Sequence, residues 1–213
     1  VDGVLYVLGG VKIASRNFYD YALASTPYQR PMCRSGWAAP DGNDMCFPCS
    51  TGWAAFAGAY QCEMCPVGTY ASFNADDCLK CPPGKYQPLT AQVSSAMCLR
   101  CQPGTYYPSW GGTDPNCLEC DGGRYEDRFG SSDCRYCPAG THRPKALGPV
   151  VLATNITDCL NCNAGEFSLI GSEICMPCPP GFYTPTDGKP FCIACPLGYW
   201  SNGGSSTCQA CPV

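Results

Sequence analysis

The chain has 213 residues, of which 21 are cysteine, 24 glycine and 21 proline, and only 14% are charged. This composition is typical of a disulfide scaffold and indicates an oxidising, extracellular environment. The 13 basic and 17 acidic residues give a net charge of −4, which excludes a basic face for nucleic acid or for an anionic membrane. No apolar run approaches the ~20 residues of a membrane span, and neither an initiator methionine nor a signal peptide is visible, so we expect a processed or incomplete chain.

Residues 1–32 contain no cysteine and are predicted to form a separate apolar, β-rich segment. Two apolar runs, 4–8 and 11–14, flank Gly9-Gly10, which predicts two short strands joined by a two-residue hairpin turn. Phe18 to Ala24 fits either a further strand or a helical turn.

Because an isolated hairpin is marginally stable, we expect this segment to bury its apolar side chains against another surface. That surface is the chain's own first modules, an upstream domain or a neighbouring subunit. We favour a neighbouring subunit that accepts the segment as an added strand, since a repeated head-to-tail contact builds an open filament. The predicted assembly residues are Val4, Leu5, Tyr6, Val7, Leu8, Val11 and Ile13.

Residues 33–213 form a repeat array, in which one single cysteine, Cys33, is followed by ten Cys-x-x-Cys pairs. We define a module as the stretch from an opening cysteine to the first cysteine of the next pair. The third residue after each opening cysteine is a glycine, here called the turn glycine, which together with frequent proline at the second position suits a tight turn. The turn glycines are Gly36, Gly52, Gly68, Gly84, Gly104, Gly123, Gly140, Gly165, Gly181 and Gly198.

A ring-bearing side chain follows two residues after most of the turn glycines, at a position that we call the ring position. The first two modules differ, because they have alanine there and tryptophan one residue earlier, which leaves their ring packing open. Modules this small cannot bury a core, so we expect a disulfide and a ring stacked on the neighbouring disulfide to stabilise each one. The ring positions are Ala38, Ala54, Tyr70, Tyr86, Tyr106, Tyr125, His142, Phe167, Tyr183 and Trp200.

Sequence alone rarely fixes disulfide connectivity, but the single Cys33 restricts it here. If each opening cysteine bonds the first cysteine of the next pair, every module closes and only Cys211 remains. Cys211 starts an eleventh module, so we expect that the natural chain continues or that Cys211 pairs with another chain. The ladder would be Cys33–Cys46, Cys49–Cys62, Cys65–Cys78, Cys81–Cys98, Cys101–Cys117, Cys120–Cys134, Cys137–Cys159, Cys162–Cys175, Cys178–Cys192 and Cys195–Cys208.

Zinc is the main alternative, because Cys-x-x-Cys pairs at this spacing also bind zinc and twenty cysteines would make five four-cysteine sites. That arrangement leaves Cys33 unused and does not explain the glycine and ring positions. A thioredoxin-like redox role would need a βαβ context, which is not visible. We therefore expect no metal and no cofactor.

The sequence offers no convergent catalytic groups. His142 is the only histidine. It lies at a ring position, where most other modules have tyrosine, phenylalanine or tryptophan, so we expect it to replace an aromatic ring rather than to act in catalysis. Residues 41–44 contain two aspartates and an asparagine, but they lack the spacing of a calcium loop, so a polar turn is predicted. Asn155-Ile156-Thr157 is the only N-glycosylation sequon, and it lies in the longest loop, where we expect an attached glycan.

The phrase Cys65-Pro66-Val67-Gly68-Thr69-Tyr70, followed by Cys78-Leu79-Lys80-Cys81, resembles the ephrin-receptor-like cysteine-rich repeats. It is also similar to the first single-disulfide submodule of tumour-necrosis-factor-receptor cysteine-rich domains. The resemblance covers residues 33–213 and implies bonding of each opening cysteine to the next one, in agreement with the ladder. It implies an extracellular, elongated, non-catalytic array, but no particular ligand, since such repeats occur in receptors, protist surface antigens and fibre proteins.

The predicted fold is a small disulfide-rich, mostly irregular or β structure: an elongated rod of tandem single-disulfide modules after a short β-rich segment. The predicted function is that of a non-enzymatic extracellular structural protein that self-associates end to end into a surface fibre. The alternative is the stalk or ligand-binding ectodomain of a membrane receptor or surface antigen. A receptor predicts a membrane helix or lipid anchor beyond residue 213, whereas a fibre predicts termini that fit each other.

Overall fold

The computed structural model describes residues 32–40, 45–145 and 152–212 in full, together with the backbone of residues 6–7 and 11–12. In the N-terminal segment, β1 (Tyr6–Val7) pairs antiparallel with β2 (Val11–Lys12), as the predicted hairpin requires. The register joins Val7 to Val11, so the predicted two-residue turn is wrong and the connection has three residues, the next most common hairpin length. The predicted element at 18–24, the polar turn at 41–44 and the assembly residues Val4, Leu5, Leu8 and Ile13 lie outside the described residues.

Each of the ten modules folds into one two-stranded antiparallel hairpin with strands of two residues. The first strand follows the turn glycine, and the second lies between the cysteines of the next pair. The hairpins are β3 (Trp37–Ala38) with β4 (Phe47–Pro48), β5 (Trp53–Ala54) with β6 (Glu63–Met64), β7 (Thr69–Tyr70) with β8 (Leu79–Lys80), β9 (Lys85–Tyr86) with β10 (Leu99–Arg100), β11 (Thr105–Tyr106) with β12 (Leu118–Glu119), β13 (Arg124–Tyr125) with β14 (Arg135–Tyr136), β15 (Thr141–His142) with β16 (Leu160–Asn161), β17 (Glu166–Phe167) with β18 (Met176–Pro177), β19 (Phe182–Tyr183) with β20 (Ile193–Ala194), and β21 (Tyr199–Trp200) with β22 (Gln209–Ala210).

Helix is almost absent, as predicted. The described residues contain two short 3₁₀-helices, Ser95–Met97 and Ile156–Asp158, and no α-helix. Both 3₁₀-helices lie in longer modules, directly before the cysteine that closes the loop.

Ten disulfides close the ten modules in sequential order, and Cys211 is an exposed free thiol. The closed loops have sequence separations from 13 to 22 residues, and the shortest and longest Cα–Cα distances are 5.5 and 5.9 Å. Because the sulfurs of all these pairs are bonded to each other, they are not available as thiolate ligands for the zinc sites of the alternative interpretation.

Neighbouring modules are joined by main-chain hydrogen bonds that repeat along the chain. In nine of the ten modules, the amide of the turn glycine donates to the carbonyl of the residue three positions after the next turn glycine, as from Gly68 to Gln87 at 2.7 Å. The carbonyl of the opening cysteine accepts from a loop amide of the next module, as Cys65 does from Ala91 at 2.8 Å. The first bond recurs from Gly36 to Ala55, Gly52 to Ala71, Gly84 to Tyr107, Gly104 to Glu126, Gly123 to Arg143, Gly140 to Ser168, Gly165 to Thr184 and Gly181 to Ser201.

A second contact reaches two modules along the chain. The turn glycine packs against a loop carbonyl of the module after next, so closely that a Cβ added at Gly36 would lie 2.2 Å from the carbonyl oxygen of Asn74. At Gly181 and Gly198, in the last two modules, nothing lies within 4 Å of such a Cβ. Each of the first eight modules therefore contacts the next two, which makes the array a continuous rod rather than a chain of independent modules.

Candidate functional site

The residue at the ring position covers the disulfide of the next module. Tyr125 is buried in a cluster with Cys137, Cys159 and Ala153, so its ring packs on the following disulfide as predicted. In the first two modules an alanine takes this role: Ala38 clusters with Cys49 and Cys62, and Ala54 clusters with Cys65 and Cys78.

The tryptophans of the first two modules point away from these clusters. Trp53 is partly exposed. The guanidinium of Arg34 lies over the ring of Trp37, 4.6 Å from the ring centroid. The exchange of ring and alanine between adjacent strand positions therefore turns the ring outward, because successive strand residues face opposite sides.

A third row of side chains, three residues after the turn glycines, is buried inside the rod. Its backbone is hydrogen-bonded to the modules on both sides, which places the side chain between them. The row begins with alanines and becomes polar, and two of its members are charged. The buried members are Ala39, Ala55, Ala71, Gln87, Glu126, Arg143, Ser168, Thr184 and Ser201.

The two buried charges of this row are satisfied locally. Glu126, only 3% exposed, accepts the backbone N–H of Arg128 at 3.0 Å and lies 3.9 Å from the guanidinium of Arg135. Arg143 donates from Nη1 to the carbonyl of Asp121 at 3.1 Å and that of Cys120 at 3.4 Å. Arg143 thus contacts the carbonyl of an opening cysteine, Cys120, in the preceding module. Composition and spacing did not predict either residue.

Charged side chains also link the modules around Cys120. Lys145 Nζ lies 3.0 Å from Asp121 Oδ1, and this hydrogen bond and the negative charge of Asp121 raise the pKa of Lys145. The guanidinium of Arg124 binds Asp133 at 2.8 Å and lies 4.1 Å from the ring centroid of Tyr136. These are exposed pairs, so they orient the strands more than they stabilise them.

His142 lies against a disulfide sulfur of the next module. Its Nδ1 is 3.0 Å from Sγ of Cys175, which is bonded to Cys162. A disulfide sulfur carries no proton, so a hydrogen bond at this contact requires the tautomer in which Nδ1 carries the proton and donates it. The ligand atoms of these three residues all lie within 4.8 Å of one another, but the two sulfurs are bonded together and leave the imidazole as the one available ligand. The intact cluster is therefore a donor–disulfide contact rather than a metal centre.

Asn155, the predicted glycosylation residue, is exposed and caps the 3₁₀-helix that follows it. Its Oδ1 accepts the N–H of Thr157 at 3.1 Å, and its backbone N–H donates to Asp158 at 2.9 Å. The amide nitrogen that would carry a glycan therefore belongs to a side chain held at the surface.

Two rows of apolar side chains are exposed along the rod. The first row consists of the side chains that begin the second strand of several hairpins. The second row consists of side chains in the loops between the two strands, each directly before a loop residue with positive φ. Such rows are available for contact with other proteins. They comprise Phe47, Leu79, Leu99, Leu118, Leu160, Met176 and Ile193 in the first row, and Phe73, Trp110, Phe129 and Ile170 in the second.

No helix in the described part of the chain is long and apolar enough to cross a bilayer. Residues 68–116 and 165–201 match the family described as tyrosine-protein kinase ephrin type A/B receptor-like.

Similar proteins are large and carry a comparable stretch as a small part of their length. The chain is 39% identical over 82 residues to mouse sushi, von Willebrand factor type A, EGF and pentraxin domain-containing protein 1, which is 38% of this chain and 2% of that protein. It is 38% identical over 72 residues to human signal peptide, CUB and EGF-like domain-containing protein 3, covering 33% of this chain and 7% of the relative. It is 37% identical over 99 residues to zebrafish signal peptide, CUB and EGF-like domain-containing protein 2, covering 45% and 9%.

The chain thus spans less than a tenth of the length of these relatives. The family match, the relatives and the many disulfides agree with an extracellular or cell-surface location. The family match over residues 68–116 and 165–201, together with the ten tandem disulfides, supports the interpretation of the array as ephrin-receptor-like cysteine-rich repeats.

Proposed function

We propose that this chain is a non-enzymatic structural rod outside the cell and that its copies associate end to end into a surface fibre. The observation that carries the proposal is the contact of each turn glycine with the module after next, such as Gly68 with the carbonyl of Gly111. Because a module contacts both of the next two modules, bending the rod would break contacts on more than one neighbour. A stiff, repetitive rod suits a mechanical or spacing role.

The two ends of the array carry complementary halves of the repeated contact. The amide of Gly198 donates no hydrogen bond to any described residue, whereas the equivalent amide of Gly181 binds Ser201 at 3.1 Å. At the other end, the carbonyl of Ala39 accepts none from the described residues, although it is equivalent to the carbonyls that accept in later modules. Each group takes its partner either from a further module of the same chain or from a neighbouring copy in a heterologous, head-to-tail contact.

The N-terminal segment would strengthen that contact. The hairpin of Tyr6–Val7 and Val11–Lys12 has two strands, too few for independent stability. We propose that a neighbouring copy accepts it as an added strand, and that the exposed thiol of Cys211 lies at the end where this copy docks. Glycans at Asn155 would project from the side of the rod and leave both ends open.

A stalk within a larger extracellular receptor or surface protein is the second candidate. It is favoured by the relatives, in which the similar stretch makes up 2% to 9% of the protein. In a stalk, further modules of the same chain would satisfy the amide of Gly198. The candidates therefore differ in whether separate copies associate.

Sedimentation velocity and electron microscopy of the full chain at increasing concentration test the proposal. We expect filaments, and we expect loss of association after deletion of residues 1–24 or after Gly198→Ala, whose Cβ would enter the docking face but meets nothing within the rod. Replacement of residues 1–24 by a glycine–serine sequence of equal length controls for length. Single rods at every concentration would exclude the fibre and favour the stalk.

A further inference from the structure

We propose that the disulfide Cys162–Cys175 is a thiol-exchange site and that His142 activates it as a hydrogen-bond donor. The substrate class is a small thiol in its thiolate form. This inference does not depend on whether the rod assembles. It rests on the 3.0 Å contact between His142 Nδ1 and Cys175 Sγ.

The contact differs from what the other modules place on their disulfides. At the equivalent ring position, Tyr125 covers the disulfide Cys137–Cys159 with its ring in an apolar cluster. A second polar contact with a disulfide sulfur is made by the hydroxyl of Thr184, which lies 3.9 Å from Cys178 Sγ.

Thr184 cannot act in the same way. Its hydroxyl donates its proton to the carbonyl of Glu166 at 3.2 Å, and its oxygen already accepts the amide of Gly165 at 2.7 Å. The proton is therefore directed away from Cys178. The imidazole of His142 differs, because its Nδ1 lies 3.0 Å from Cys175 Sγ.

Accessibility selects which sulfur is attacked. Cys162 is 0% exposed, whereas Cys175 is partly exposed and is preceded by the exposed side chains of Glu173 and Ile174. An incoming thiolate must reach the sulfur that it attacks, so it attacks Cys175 and Cys162 is the leaving group. The imidazole is within 4.8 Å of Cys162 Sγ as well, so it can follow the developing charge from one sulfur to the other.

Thiol–disulfide exchange at this site takes two displacement steps. The thiolate donates an electron pair to Sγ of Cys175, a mixed disulfide forms, and the Cys162–Cys175 bond breaks with its electron pair on Cys162. The imidazole N–H stabilises that thiolate by a charge-assisted hydrogen bond, and water supplies the proton that converts it to the thiol. A second thiolate then displaces Cys175, so that two protein thiols and one reagent disulfide result, and two electrons pass from the reagent to the protein.

Opening this disulfide leaves the rod connected. The amide of Cys162 still donates to the carbonyl of Gly140 at 2.9 Å, and its carbonyl still accepts from Gly188 at 2.8 Å. The loop that ends at Cys175 is released while the main-chain bonds of Cys162 to its neighbours remain. The site is thus a place where a thiol can be attached to the rod, or a joint loosened, without breaking it.

Timed reduction tests this proposal. The Cys211→Ser protein, which lacks the free thiol, is exposed to limiting glutathione or dithiothreitol, alkylated, and mapped for modified cysteines. We expect Cys162 and Cys175 to be modified about fivefold faster than the cysteines of the adjacent modules, as the strength of one hydrogen bond to the disulfide requires. Uniform modification, or faster modification of another disulfide, would overturn the proposal.

Two ring exchanges separate hydrogen bonding from exposure. His142→Phe removes the donor and should slow modification to the rate of the neighbours. Phe167→His, at the equivalent position one module later and equally half-buried, should make Cys178–Cys192 labile. The Phe167→His variant is expected to gain reactivity at Cys178–Cys192. It therefore tests the role of the imidazole even if His142→Phe does not fold. An unchanged rate for Cys178–Cys192 in properly bonded Phe167→His protein would overturn the role of the imidazole.

Discussion

Gly84 lies against the carbonyl oxygen of Gly130, which belongs to the module after next, and a Cβ added at Gly84 would be 1.9 Å from that oxygen. Gly84 also has φ of +80°, a conformation that costs side-chain-bearing residues about 1–2 kcal/mol. Glycine is thus required at this position for two separate reasons, the turn and the contact across two modules.

The two requirements can be separated by one matched pair of substitutions. Gly84→Ala and Gly181→Ala both place alanine at a φ near +80°, but nothing lies within 4 Å of a Cβ at Gly181. We expect Gly84→Ala to cost about 1–3 kcal/mol more than Gly181→Ala, because only the first must displace a backbone carbonyl. Urea unfolding and hydrogen exchange at Gly130, whose amide binds Cys101, measure the difference. Equal costs would show that the two-module contact contributes nothing.

The disulfide ladder predicts the outcome of peptide mapping without reduction. Ten local bridges are expected, each between an opening cysteine and the first cysteine of the next pair. A reductant should collapse the rod and a chelator should leave it unchanged, since the sulfurs are bonded to each other. Crossed bridges, such as Cys46 with Cys62 and Cys49 with Cys65, or unfolding by the chelator alone, would contradict the ladder.

A glycan is expected on Asn155 in protein from its native source or from a eukaryotic secretory host. Intact mass before and after amidase treatment should differ by at least a core oligosaccharide. Thr157→Ala removes the sequon and should abolish the difference, whereas Thr154→Ala is an exposed control that keeps it. Native protein with an unmodified Asn155 would refute the expectation.

The ion pair between Lys145 and Asp121 predicts a pH effect of defined sign. Asp121 raises the pKa of Lys145, so the interaction is present below the ordinary lysine pKa and is lost as pH rises through the raised value. Asp121→Asn should lower the pKa of Lys145, as measured by NMR of the lysine side chain. Asp127→Asn, which changes a carboxylate that pairs with Arg135, should leave the pKa of Lys145 in place. Equal effects of the two variants would mean that Asp121 has no specific role.

Sequence alone determined the local features of this protein. The single Cys33, the regular pairs after it and the turn glycines such as Gly36 predict modules, tight turns and covering rings, because each depends on contacts within about 20 residues along the chain. The hairpin in the first 32 residues was predicted for the same reason, with an error of one residue in its loop.

Tertiary structure decided what depends on the path of the rod. The contact of Gly84 with Gly130, the burial of Glu126 and Arg143, and the contact of His142 with Cys175 all require the rotation from one module to the next. Spacing along the chain does not encode this rotation, because loops of 13 to 22 residues give the same module. The rotation is set by main-chain hydrogen bonds and by backbone contacts across two modules, which form only when the modules stack.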